Sequence, residues 1–330
     1  MICNYAPKKL LEFVRDGLVE QEHYGFFVKL NKDKSFYEYG ESKNYPFYLR
    51  SCAKPLQSSI LIDYDVIKEF SFTSEEIAVC CASHAGEPCH TRVVSQILDK
   101  IGVSKNDLKC GIHQPLSIEE QHRLLFAHEE PSTLHNNCSG KHAMMLSVCK
   151  KNNWDIKNYF EKTHPLQIAI KNKIYKLCEL NQEYPITTDG CGVPICSMPL
   201  KNILIGYYNL FFDDKYKEIK EAYQKNPYLI GGVNRYDSAV ISADNNLIAK
   251  VGAGGLCVVV NIKEKEVLMV KIMDCDMKAR AICMTEALLR LGWLNKKALE
   301  ANALTKQNDR RILTHHNEVV GQAVCTDFFK

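Results

Sequence analysis

The chain has 330 residues, 46% of them hydrophobic and 25% charged, with a formal net charge of +3. That is ordinary globular composition, enough for a large core in one or two domains. The near-neutral balance leaves no basic footprint for nucleic acid, and no apolar run is long enough to span a bilayer.

Met1 to Arg15 carries Lys8, Lys9, Glu12 and Arg15 without a long apolar stretch, so it does not read as a secretory signal. Residues 25–30 and 35–39 flank the polar turn Asn31-Lys32-Asp33-Lys34 and predict an early hairpin. A helix is expected from Ser51 to about Phe70. Thr73-Ser74-Glu75-Glu76 reads as a capping box for the helix that carries Ile77, Val79 and Cys80. Further helices are expected over 90–102, 117–128, 139–151, 165–180 and 213–224. Strands return at 247–251, 256–262 and 266–273, the last two as an antiparallel hairpin around Lys263-Glu264-Lys265. An amphipathic helix over 276–291 ends at Gly292.

This order predicts an α+β fold: an antiparallel sheet flanked by helices, with a mostly helical lobe at roughly 55–200. The whole chain, 1–330, reads as one catalytic unit of two lobes, with the α/β lobe built from both termini. The crevice between the lobes is the expected place for a site. The 15 cysteines, several inside apolar runs, read as reduced buried thiols of a cytoplasmic protein.

Four polar clusters place reactive residues on turns. Arg50-Ser51-Cys52-Ala53-Lys54-Pro55 is a Ser-x-x-Lys element. A lysine three residues after a serine lies one helical turn on, along the same face. If desolvated, its amine can take the serine's proton at neutral pH. The others are Ala82-Ser83-His84-Ala85-Gly86-Glu87-Pro88-Cys89-His90, His135-Asn136-Asn137-Cys138-Ser139-Gly140-Lys141-His142 and Thr188-Asp189-Gly190-Cys191-Gly192-Val193-Pro194. Singly, each has a plain structural reading. Ser51 could cap a helix, Ser83-His84 could close one, and Cys138 and Cys191 could be buried thiols on turns. In sequence order together, they point to a site.

Together these clusters resemble the asparaginase II family of Rhizobium-type, metal-binding L-asparaginases. That family is similar in architecture to serine β-lactamases and penicillin-binding proteins. The likeness also takes in Glu22-His23-Tyr24-Gly25, the Cys110-Gly111-x-His113-x-Pro115 segment, Lys250-Val251-Gly252-Ala253-Gly254-Gly255, and Asn317 to Gly321. It implies a β-lactamase-like fold, hydrolysis of L-asparagine to L-aspartate and ammonia, and a homodimer. It implies Ser51 as nucleophile, Lys54 as its proton acceptor and Ser83 as a second hydroxyl. A further lysine on a late strand completes the set; Lys271 is the first choice and Lys250 its rival. Two such lysines disfavour each other's charge, so one can be neutral while the other stabilises anionic charge. The resemblance also implies Zn2+ held by Cys138, Lys141 and Cys191.

An asparagine substrate offers a carboxylate for Arg50. Glu87 or Asp189 could meet its ammonium, and His84 could donate to the substrate or to Ser83. Gly254 stands where related sequences usually carry a glutamate. Cys52, beside Ser51, is expected to be packing. The competing readings are a penicillin-recognising serine hydrolase and a catalytically silent zinc or amino-acid binding protein.

Overall fold

The computed structural model describes residues 5–300 and 303–328. The strands are, in chain order, β1 (Lys8–Arg15), β2 (Leu18–Leu30), β3 (Phe36–Tyr39), β4 (Phe47–Tyr48), β5 (Ile186–Thr188), β6 (Pro194–Met198), β7 (Leu247–Gly252), β8 (Leu256–Asn261), β9 (Glu266–Ile272), β10 (Arg311–Leu313) and β11 (Val319–Cys325). Eight of them form one antiparallel sheet, in the order β10-β11-β1-β2-β9-β8-β7, with β3 paired to β2. Strand β1 pairs with β11, Leu11 opposite Cys325, so both ends of the chain meet in the same sheet. Strands β4, β6 and β5 form a small separate sheet.

The sheet is central because β7 and β8 bury every residue. Such strands are covered on both faces. The Met277–Arg290 helix packs against β8 and β9, and the Leu200–Phe212 helix packs against β2, β8 and β9. Each leucine or valine fully enclosed here contributes roughly 2 kcal/mol of burial. The hairpin of β8 and β9 and the Thr73 capping box form as expected, the latter with both reciprocal bonds. Gly102 ends the Pro88–Ile101 helix in the left-handed region at φ +64°.

Between β4 and β7 the chain runs through a mostly helical stretch. Its middle is the Ser139–Lys151 helix, buried on all sides from Ser139 to Cys149, as a helix in the interior of a lobe must be. Gly140 lets it approach: a Cβ there would stand 2.2 Å from the Val79 carbonyl oxygen.

One expectation needs correction. The single helix over 51–70 is instead a 3-10 turn, Arg50–Ala53, followed by three short helices, Lys54–Ser58, Ile60–Asp63 and Val66–Glu69. The Ser59 hydroxyl bonds back to the Leu56 carbonyl and Asp65 turns left-handed at φ +53°, which breaks the run. Strands β1 and β11 and the buried Leu200–Phe212 helix were not foreseen. Among the described residues no helix is long and apolar enough to cross a membrane.

Candidate active site

The Arg50–Ala53 turn packs against β6, β7 and β8 and leads into the Lys54–Ser58 helix. Gly252, ending β7, makes this possible: a Cβ there would meet Cys52 Sγ at 2.9 Å and the Leu49 carbonyl oxygen at 3.2 Å. Arg50 takes the left-handed φ of +48° and Ser51 is half-buried beside it. Both line a cleft of about 550 Å³, together with His113, Cys138, Asp189 and Cys191. Cys52 points away from it; its thiol is buried against the Lys250 carbonyl, 3.4 Å away, and burial pushes its pKa up to about 12.

Lys54 opens the next helix and is 1% exposed. Its Nζ donates to the Ala82 carbonyl at 2.6 Å and the Asn137 carbonyl at 2.9 Å. One amine thereby ties together the turn of Ser51, the loop of Ser83 and the loop of Cys138. Burial brings its pKa down to about 8; Cys138 opposes that shift, and Lys141 and Lys250 add to it. The Ser83 hydroxyl, next to Ala82, is buried with no hydrogen-bond partner among the described residues.

The structure separates the two rival lysines. Lys250 is wholly buried and close enough to Lys54 to disfavour its charge. Its Nζ donates to Asp237 Oδ2 at 3.2 Å and to the Val251 carbonyl at 2.8 Å. Lys271 faces the same side of the sheet, but strand β8 lies between: Gly252 pairs with Leu256, and Leu256 with Lys271. Two strand spacings are roughly 10 Å. Lys271 lines a second cleft with Phe47 and Tyr48 instead.

Of the expected substrate contacts, Arg50 and Asp189 face the first cleft, and Arg50 Nε donates to Asp189 Oδ1 at 2.7 Å. Burial raises the Asp189 pKa, but Lys141 and Arg50 together hold it below the usual range. His84 and Glu87 do not line this cleft. His84 accepts from the Gly86 N–H at Nδ1, so its Nε2 carries the proton toward Ser139 Oγ, 2.9 Å away. Glu87 accepts from the Tyr228 hydroxyl and from the Val233 N–H. Both residues hold loops, because their polar atoms are already spent there. The Cys52 N–H is likewise spent on the Leu49 carbonyl, 3.1 Å away, which removes it as an oxyanion donor.

Cys138 and Cys191 come together across the cleft despite their separation in sequence. Lys141 Nζ donates to Cys191 Sγ at 2.9 Å. Cys138 shares the Cys191 proton, which brings its pKa well below that of an ordinary thiol and raises that of Cys191. Burial lowers the Lys141 pKa, yet Cys138 and Cys191 raise it overall. Two buried sulfur donors beside an amine make a soft set that fits Zn2+. A second group, Glu87, Cys89 and His90, has ligand-capable atoms within 4.8 Å of one another.

Two participants escaped sequence reasoning. Asp237, at the start of the Tyr236–Ala243 helix, is wholly buried against Lys250 and carries no local motif. His113 lines the cleft and accepts from the Asn137 N–H at 3.0 Å. Its segment belongs to the family resemblance, but its contact with Asn137 depends on the tertiary fold.

A model of the L-asparaginase II family matches residues 11–325, nearly the whole chain. The chain belongs to the L-asparaginase II family, and its members' chemistry is hydrolysis. No curated protein matches it.

Proposed function

We propose that this protein hydrolyses L-asparagine to L-aspartate and ammonia through an acyl-enzyme on Ser51. The observation that carries the reading is the bonding of Lys54. A neutral amine has two N–H donors and one lone pair. Both donors are engaged, by the carbonyls of Ala82 and Asn137, so the remaining position on the nitrogen, which Cys138 also approaches, supplies the lone pair that takes the proton of Ser51 when substrate binds. The lowered pKa, about 8, makes that neutral form accessible near neutral pH.

In this reading Ser51 Oγ attacks the side-chain amide carbon while its proton passes to Lys54 Nζ. The C–N bond breaks, the proton goes to the leaving nitrogen as ammonia, and water then cleaves the ester. Ser83, whose hydroxyl has no fixed partner, relays protons between amine and leaving group. The second lysine is Lys250, not Lys271: it is ion-paired with Asp237, and its charge favours the neutral form of Lys54. Arg50 meets the substrate carboxylate and Asp189 the ammonium.

Cys138, Cys191 and Lys141 would hold Zn2+. Lys141 must lose a proton to ligate, a cost the metal charge offsets. When bound, the ion supplies Lewis-acid polarisation at the cleft wall. The β-lactamase-like layout of sheet and helical lobe, with one catalytic unit, fits the same reading. A cytoplasmic homodimer accompanies it, as the family resemblance implies.

Ammonia release from asparagine and glutamine by wild-type and Ser51→Ala protein tests the reading. Turnover that persists in Ser51→Ala removes the nucleophile. Acylation by a penicillin without asparagine turnover would favour the penicillin-recognising alternative, and absence of both reactions would favour a binding protein.

A further inference from the structure

Beside the Ser51 cleft lies a second one of about 290 Å³, and Arg50 lines both. Its size is at the low end of small-molecule sites, which begin near about 300 Å³. One wall is aromatic. Tyr5, Tyr45 and Phe47 pack with ring centres 4.5 to 5.7 Å apart.

Lys271 is the polar feature of this cleft. It is 7% exposed, its Nζ donates to the Ile272 carbonyl at 2.9 Å, and the ammonium lies 5.9 Å from the centre of the Phe47 ring. A lysine ammonium has three donors. Among the described residues, no carboxylate lies within ion-pair distance of it. A buried cation against apolar walls is costly without a counter-charge. Burial alone lowers the Lys271 pKa, and the more distant Cys275 and Asp274 only partly offset this. Arg50, at the shared wall, is also cationic but is already paired with Asp189.

Gly254 completes the opening. It adopts φ +77°, and a Cβ there would meet only Arg50 Cγ, at 4.0 Å. No side chain therefore fills the space beside Arg50 where the two clefts meet.

We propose that this second cleft is a subsite for an apolar group that bears a carboxylate, carried on the amide nitrogen of the substrate. The carboxylate pairs with Lys271 and the apolar part lies on the Tyr45 and Phe47 rings. The substrate class then includes asparagine derivatives whose side-chain amide nitrogen bears such a group. Hydrolysis breaks the same C–N bond: water supplies hydroxyl to the aspartyl carbon and a proton to the nitrogen, and a primary amine leaves in place of ammonia. The substrate half of the proposal rests on the Ser51 reading above; the binding half does not.

Titration calorimetry with 3-phenylpropionate tests the binding half. Wild-type and Ser51→Ala proteins should bind it alike. Lys271→Met should bind it roughly tenfold more weakly or worse, as loss of a charge-assisted bond predicts. The neutral 3-phenylpropanamide should bind wild type with a similar loss. Lys271→Gln serves as a second variant if Lys271→Met does not fold. No binding to wild type, or equal affinity in the Lys271 variants, overturns the subsite. The substrate half is read from phenylalanine released from β-aspartyl-phenylalanine. Lys271→Met should raise KM roughly tenfold for that substrate and leave asparagine turnover unchanged. A wild-type enzyme that hydrolyses asparagine but not the dipeptide overturns the substrate class. A protein that binds 3-phenylpropionate through Lys271 but hydrolyses neither compound keeps the subsite and sinks the Ser51 reading instead.

Discussion

Asp237 and Lys250 form an ion pair of 3.2 Å with both side chains wholly buried. Removing one partner from such a pair leaves an uncompensated charge in the core. Asp237→Asn should therefore destabilise the protein by about 3 kcal/mol. Combining it with Lys250→Met should restore much of that stability while hydrolysis of asparagine stays lost. Chemical denaturation checks the first outcome and ammonia release the second. Stability unchanged in Asp237→Asn would show that the pair does not matter to the fold.

Ser51→Ala should lower kcat by roughly 10³-fold or more while the melting temperature stays within a few degrees. The hydroxyl makes no structural bond among those described, so its loss should not disturb the turn. A matched fall in stability would indicate that the serine mainly shapes the turn.

Gly252→Ala tests how closely β7 must approach the nucleophile turn. The new methyl would press on Cys52 Sγ at 2.9 Å. A displacement of a few tenths of an ångström at Ser51 should cost roughly tenfold in kcat/KM, out of proportion to the change in Tm. Unchanged kcat/KM would mean that the turn position tolerates the push.

His90 lies between His84 and Tyr228, with ring centres 5.0 and 5.8 Å away. Burial brings its pKa from 6.5 down to about 4. The folded value is below the unfolded one, so the unfolded chain binds the proton first as pH falls. The stability from neutral His90 is complete above pH 6.5 and disappears as pH drops toward 4, about 3 kcal/mol in all. His84, also shifted well down by burial, adds to the slope. Urea denaturation at pH 7 and 4.5 should show a shallower loss for His90→Phe than for wild type. Equal losses would mean His90 is not what titrates.

Cys138→Ser should abolish most bound zinc measured by elemental analysis after purification with the metal. Cys89→Ser should leave it unchanged, because the Glu87 carboxylate is already engaged by Tyr228 and Val233. The reverse pattern would move the metal to the Glu87, Cys89 and His90 group.

Local signals in the chain reach far into the architecture. The hairpin around Lys263 to Lys265, the Thr73 capping box and the Ser139–Lys151 helix depend on contacts within a few residues. The break at Ser59 and Asp65 was less legible because serine back-bonding and a left-handed aspartate compete with a helix only in context. Strand β1 had a local signal, the Asp16-Gly17 turn that joins it to β2 as a hairpin, and only its pairing with β11 joins segments from opposite ends of the sequence.

The site divides along the same line. Sequence alone determined which residues near Ser51 are candidates for chemistry, because residues one helical turn apart share a face wherever the turn is put. Only the folded chain decided which distant groups face them. It set Lys250 rather than Lys271 beside Lys54, turned His84 and Glu87 to holding loops, and buried Asp237 against Lys250. Those choices depend on strand order and burial, and a side chain's charge and free lone pairs are settled only by what the fold packs around it.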